Sequence, residues 1–121
     1  MILDLPVWEQ ADVVCCQEFW YDNQEIFDMY VSTLQQRYRM HGLQRPGAMR
    51  PDGLFMAVSR EWEVVHEADI DFEDVACRCA QLLHLRRAAG SDGTPRELLV
   101  ANVHLLFPHN DESIRIRVRE L

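Results

Sequence analysis

Apolar residues recur at helical spacing over only one long stretch of this 121-residue chain, and that restricts the folds open to it. Ile26, Tyr30, Leu34 and Tyr38 stand four apart with Phe27 and Val31 beside them. Asp22 occupies an N-cap position with Glu25 three residues on, and Gly42 closes the run, so the spacing predicts one helix from Asp22 to Gly42. The rest follows the pattern of strands. Residues 11–17 are apolar or small. Residues 54–59 form a compact apolar run after the turn signals Pro46-Gly47 and Pro51-Asp52-Gly53, and residues 62–68 alternate around Val64 and Val65. Residues 69–74 read as an acidic bridge, and residues 75–86 and 97–106 as a long antiparallel pair joined by the exposed connection 88–95. After the polar stretch 107–112, Ser113 is placed to cap a second helix running to Leu121. One helix cannot cover both faces of so many strands, so the pattern predicts an α/β protein that is a single domain or part of one.

Composition narrows the class further. With 48% hydrophobic and 26% charged residues the chain has an ordinary globular balance. No apolar run approaches the ~20 residues that cross a bilayer, and Met1-Ile2-Leu3-Asp4 lacks the basic start of a signal peptide. These features predict an intracellular protein, cytoplasmic or nuclear. The net charge of −8 argues against broad electrostatic binding of nucleic acid, which normally shows as a basic patch. Arginines are concentrated locally at Arg37, Arg39, Arg45 and Arg50, and again at Arg115, Arg117 and Arg119.

The polar residues that interrupt the strand-like runs are the candidates for chemistry. Glu18 follows the apolar run 11–17, and the run 98–101 ends in Asn102-Val103-His104. Polar groups gathered at strand ends tend to form the floor of a site. Cys15-Cys16 and Cys77-Arg78-Cys79 lack the spacing of zinc ligands, and adjacent strand residues face opposite ways, so reduced structural thiols are expected. The acidic segment from Asp69 fails as an EF-hand, having Asp74 at the sixth position and Ala80 at the twelfth. His41, His66, His84 and His109 match no catalytic pattern.

Four segments together carry a family resemblance. The segment 11–18 is similar to the "D-hydrophobic-QE" signature of the endonuclease/exonuclease/phosphatase superfamily, whose founding member is deoxyribonuclease I. Residues 52–59, Asp52-Gly53 followed by an apolar strand, resemble that family's "DG" segment. Residues 99–106 resemble its "VxNTHL" strand with Val103 in place of Thr, and Arg117-Val118-Arg119-Glu120 resembles its "RxxQ" with Glu in place of Gln. Order and spacing agree across nearly the whole chain. The segments 79–86 and 100–107 are most similar to the deadenylase and nocturnin branch, which includes a plant and algal group bearing the name calcium-binding.

The resemblance implies a deoxyribonuclease I-like α/β sandwich, with residues 1–121 forming the N-terminal half as a mixed sheet, one long helix and the start of a second. It implies that Glu18 is a ligand of Mg2+, with Mn2+ as the alternative ion. It implies that His104 contacts the scissile phosphate and that Asn102 is an orienting hydrogen-bond group beside it. The family's Asn upstream of the "QE" strand and its later "GDFN" and "SDH" motifs do not occur in these residues, so the chain is expected to be inactive alone and to need a C-terminal half. The implied activity is hydrolysis of phosphodiester bonds in nucleic acid, RNA 3′ ends above all. The alternatives are a phosphatase or sphingomyelinase-like hydrolase of small or lipid phosphate esters, and a non-catalytic interaction module.

Overall fold

The computed structural model of the protein describes residues 2–47, 50–74, 76–90 and 93–120. A 3-10 turn (Ile2–Asp4) leads into α1 (Val7–Gln10), β1 (Val13–Trp20), α2 (Gln24–Leu34), β2 (Tyr38–Gln44), β3 (Asp52–Ser59), β4 (Glu63–Asp71), β5 (Cys79–Arg87), β6 (Arg96–Val103) and α3 (Asp111–Glu120). The strands form two three-stranded sheets, ordered β1-β3-β2 and β4-β5-β6. Every pairing in them is antiparallel, where the resemblance implies a mixed sheet.

The sheets stack face to face because β3 and β5 are apolar on the sides they turn toward each other. Met56 and Val58 of β3 meet Leu83 and Leu85 of β5, with Trp62 closing one end. The opposite face of the first sheet carries Phe55, Ala57, Phe19 and Tyr38, and α1 and α2 cover it with Trp8 and Leu34. Being central and covered on both faces, β3 is buried at all its positions, and each large apolar side chain so removed from water contributes about 1.5–3 kcal/mol. The outer face of the second sheet has less cover: Leu99 is 72% exposed there. No helix among the described residues is long and apolar enough to cross a membrane.

The four-residue periodicity predicted one helix from Asp22 to Gly42, but it holds only as far as Leu34. Asn23, not Asp22, caps α2, its side chain accepting from the Ile26 N–H at 3.1 Å. Tyr38 then opens β2, where the register from Tyr38 opposite Ser59 to Gln44 opposite Gly53 pairs an edge of β3 that a helix would leave open. Tyr38 is completely buried as a strand residue, its hydroxyl 2.9 and 2.8 Å from the Trp8 and Ala11 carbonyls. Gly42 does not end a helix. It lies within β2 under the Tyr21 ring, where an added Cβ would stand 2.7 Å from the Tyr21 hydroxyl.

Other boundaries also move. The acidic bridge 69–74 is partly strand, since β4 runs on to Asp71, and the pair expected over 75–86 and 97–106 is confined to β5 and β6. Val75, Ser91, Asp92 and Leu121, which the expected strand, connection and second helix include, lie outside the described residues. Ser113 is not the cap of α3 but the partner, three residues on, of the residue that is. Asn110 Oδ1 accepts from the Ser113 N–H at 2.8 Å while Ser113 Oγ accepts from the Asn110 N–H at 2.9 Å, a reciprocal box.

Two tight junctions set the approach to the site. Asp52 and Arg45, both buried, pair at 2.5 Å, and an added Cβ on Gly53 would stand 2.1 Å from the Leu43 carbonyl oxygen. Beside Arg78, the carboxyl groups of Glu120 and Asp74 can share a proton, Glu120 Oε1 and Asp74 Oδ2 being buried with no other partner among the described residues, and Glu120 Oε2 accepts from the Leu106 N–H at 3.0 Å. Burial, and then the bond to Asp74, raise the Glu120 carboxyl above its ordinary value. Asp74 is held below its own, because bonds from Glu120 and the Arg78 and Ala76 N–H groups outweigh its burial.

Gly53→Ala is expected to cost about 1–3 kcal/mol by overpacking against β2, read as a lower urea midpoint. An unchanged midpoint would mean that β2 yields freely. Glu120→Gln keeps both hydrogen bonds without an ionisable proton. Because the folded Glu120 value is raised, its proton supports the fold below the ordinary 4.5, and that support is lost as pH rises through the raised value. The Gln variant should therefore gain stability over the native chain as pH rises from 4.5 toward neutrality; melting curves that stay parallel across this range would contradict the shared proton.

Candidate functional site

The site is organised around a buried amide. Asn102 on β6 is 1% exposed, and the two hydrogens of its Nδ2 are shared among the carbonyls of Cys16 (3.1 Å) and Phe55 (3.3 Å) and Gln81 Oε1 (3.4 Å), while its Oδ1 accepts from Gln17 Nε2 (2.6 Å). Gln81 Nε2 continues to the His41 carbonyl at 3.2 Å. One side chain thus ties β1, β3 and β5 to β6. A buried primary amide is tolerated only with such partners, and here they come from both sheets. Asn102 does not open to solvent, so it is a positioning residue that fixes Cys16 and Gln17 just before Glu18.

Glu18 lies within β1 rather than after it. Gln17 pairs with Leu54 and Phe19 with Gly53, so Glu18 is the extra residue of a β-bulge, and its φ of 54° is left-handed. The bulge reverses the side-chain alternation. Gln17 keeps to the inter-sheet side with Asn102, while Phe19 turns into the helix-covered core and stacks on Phe55 with ring centroids 4.7 Å apart. Glu18, 67% exposed, is left projecting from the rim. A left-handed conformation costs a non-glycine residue about 1–2 kcal/mol, and such strain is characteristic of functional positions.

Across the sheet gap, His104 follows β6 two residues after Asn102, and its Nε2 lies 3.8 Å from Glu18 Oε1. Arg78 Nη1 lies 3.0 Å from His104 Nδ1. A guanidinium only donates, so Nδ1 accepts and the ring proton sits on Nε2, facing Glu18. Burial, and next the charge of Arg78, hold the His104 ring below its ordinary value and favour this neutral form. The arrangement presents a carboxylate and an N–H donor to one point on the rim.

Among the described residues no three or more His, Cys, Asp or Glu side chains converge closely enough to hold a metal ion. A calcium cage of roughly six to eight oxygens is not built from them. A Mg2+ ion needs only one or two protein carboxylates and keeps its waters, and the exposed Glu18 carboxylate fits that smaller demand. The four cysteines are free thiols, with Cys15 exposed and Cys16 turned toward the helix-covered core.

No protein-family model matches the chain. An Arabidopsis thaliana protein named as an uncharacterised calcium-binding protein is 33% identical over 127 residues, which is 99% of this chain and 26% of that protein. Among solved structures, ANGEL2, a 2′,3′-cyclic phosphatase crystallised with adenosine-2′,3′-vanadate, superposes with a TM-score of 0.69 at 21% identity over 97% of this chain and 34% of its own. A truncated TDP2 from Caenorhabditis elegans superposes with a TM-score of 0.64 at 16% identity, over 89% of this chain and 39% of its own. Both belong to the superfamily that the sequence resembles. The chain has the endonuclease/exonuclease/phosphatase fold. It spans about a quarter of the Arabidopsis relative and about a third of the ANGEL2 chain.

Within that superfamily fold, the three residues singled out in sequence occupy one region: Glu18 and His104 at the rim, Asn102 beneath them. Gln17, Gln81 and Arg78 complete it; Gln17 stands in the family-like "QE" segment without an assigned role, and the other two are not singled out by sequence. Gln81 had a visible signal, a lone amide inside an apolar strand, whereas Arg78 reaches His104 only through the loop fold.

Glu18→Gly should stabilise the fold by about 1 kcal/mol, since glycine adopts the left-handed bulge without strain. A destabilised variant would mean that the carboxylate itself holds the bulge. Asn102→Ala should lower stability by about 1–3 kcal/mol for each buried partner left unsatisfied; a change within 0.5 kcal/mol, roughly the scatter of ordinary surface substitutions, would remove it from the centre of the network.

Proposed function

We propose that the chain forms the part of a Mg2+-dependent phosphoesterase domain that carries the Glu18–His104 rim, and that the domain hydrolyses phosphodiester bonds in nucleic acid, RNA 3′ ends above all. The observation that carries this reading is the strained bulge that sets the Glu18 carboxylate 3.8 Å from a neutral, Nε2-protonated His104. Glu18 is one anionic ligand for a hydrated divalent ion, Mg2+ or alternatively Mn2+, and such an ion when bound would polarise the phosphoryl oxygens. His104 donates its Nε2–H to a phosphate oxygen. Arg78 fixes the ring tautomer, and Asn102 holds the backbone that presents Glu18.

The remaining ligands and a group to activate water come from the rest of the domain, so the chain alone is proposed to be inactive. The ANGEL2 likeness supports an RNA-type substrate, because a 2′,3′-cyclic phosphate is itself a phosphodiester. The net charge of −8 favours the second reading, a phosphatase or sphingomyelinase-like enzyme acting on small or lipid phosphate esters. We further propose an intracellular site of action, cytoplasmic or nuclear, which four free thiols suit.

The test has two arms. Calorimetric titration should detect weak Mg2+ binding to the native chain and none to Glu18→Gln, with the fold intact in both. Assays with Mg2+ on poly(A), an oligonucleotide ending in a 2′,3′-cyclic phosphate, and sphingomyelin should give no turnover by the chain alone. In a full-length protein carrying this segment, turnover should fall at least a hundredfold in Glu18→Gln. Equal Mg2+ binding in the two chains would remove Glu18 as the ligand, and robust turnover by the 121-residue chain would overturn the division of the site.

A further inference from the structure

The arginines clustered in sequence separate in the fold. Arg37 lies over the Tyr38 ring at 5.5 Å, and Arg39 donates to the Trp62 carbonyl at 2.8 Å. Arg45 and Arg50 instead converge with Arg78, which comes from the loop before β5, on one cavity of about 420 Å3. Cys77, Leu106 and His109 also line it, and among the described residues no Asp or Glu does. Its volume lies within the range of roughly 300–1,000 Å3 typical of small-molecule sites. Arg45 and Arg78 also line the narrow cleft in front of His104, so the cavity and the Glu18–His104 rim share a wall.

The charges in this wall are unevenly satisfied. Arg45 is committed to Asp52, but Arg78 reaches a neutral ring nitrogen and its buried Nε has no hydrogen-bond partner among the described residues. A buried donor without a partner is costly, and an Arg donor matches phosphate oxygens in geometry and charge. Burial, followed by the charge of Arg45, depresses the Arg78 guanidinium, and these outweigh the opposing charges of Glu120, Asp52 and Asp74.

We infer that this cavity is a second phosphate subsite, which takes the phosphate next to the one held at Glu18 and His104, so that the preferred substrate carries two phosphate groups. The inference rests on the phosphoesterase reading of that rim and adds the requirement for a neighbouring phosphate. Arg78 holds the wall between the two phosphates, and Arg50, exposed at the mouth, provides the outer contact. An internal phosphate of an oligonucleotide and a terminal phosphate on a small nucleotide offer the same chemistry here.

Calorimetric titration of the 121-residue chain with inorganic pyrophosphate, without divalent ions, tests this directly. Pyrophosphate should bind more tightly than orthophosphate. Arg50→Gln and Arg78→Gln should each weaken it at least tenfold, and Glu18→Gln should not weaken it. Arg50 is exposed, so its variant keeps the test valid even if Arg78→Gln unfolds. Displacement of pyrophosphate by a short RNA, or by adenosine 3′,5′-bisphosphate, supports the subsite and identifies which phosphate source it accepts; displacement by neither overturns it. Absence of pyrophosphate binding, unchanged affinity in Arg50→Gln, or loss confined to Glu18→Gln also overturns it. No metal and no turnover enter this measurement, so its failure and the failure of the hydrolase reading are separately visible.

Discussion

The relative position of the two sheets depends on one buried amide. Apolar contacts between Met56, Val58, Leu83 and Leu85 hold the sheets together but are tolerant of small slides, because dispersion and burial carry little direction. Asn102 is directional. Its bonds to Cys16, Phe55, Gln17 and Gln81 are satisfied together at one offset of β6 against β1 and β3, and a slide would strand polar groups in the interior. His104 stands two residues beyond Asn102, and Glu18 directly after Gln17. The network that locks the sheets therefore also sets the distance between the two rim residues.

Strain and packing meet at the neighbouring bulge. A left-handed Glu18 costs on the order of 1–3 kcal/mol, and the cost is offset by what the bulge permits. Phe19 reaches the helix-covered core, stacking on Phe55 and meeting Tyr30 edge-on at 5.1 Å. Were Glu18 an ordinary strand residue with no bulge, Gln17 and Phe19 would share a face, and either the amide would lose Asn102 or the ring would lose the core. The carboxylate at the rim is thus a consequence of two interior demands being met at once.

Electrostatics around the rim run opposite to the chain as a whole. The net charge is −8, yet Arg45, Arg50 and Arg78 surround one cavity, and the neutral His104 lies beside it. Such local focusing favours binding of an anionic group in a chain whose net charge opposes anions at longer range. This is the field that the proposed two-phosphate substrate would meet.

The sequence by itself determined the buried centre of the fold and the residue types of the rim. The apolar run at β3, the run ending in Asn102 and His104, and the order of the family-like segments were legible because burial on both faces and hydrogen-bonding chemistry leave marks on single positions. Period alone misled at Tyr38, where four-residue spacing continues past Leu34 although the chain has already turned into β2, since pairing with β3 satisfies more backbone than another helical turn would. The bulge at Glu18, the tautomer of His104 and the meeting of Arg45, Arg50 and Arg78 were decided only by the tertiary structure. Each depends on the register between strands or on a loop closing across more than twenty residues, and no local pattern encodes the offset at which two sheets satisfy a shared amide.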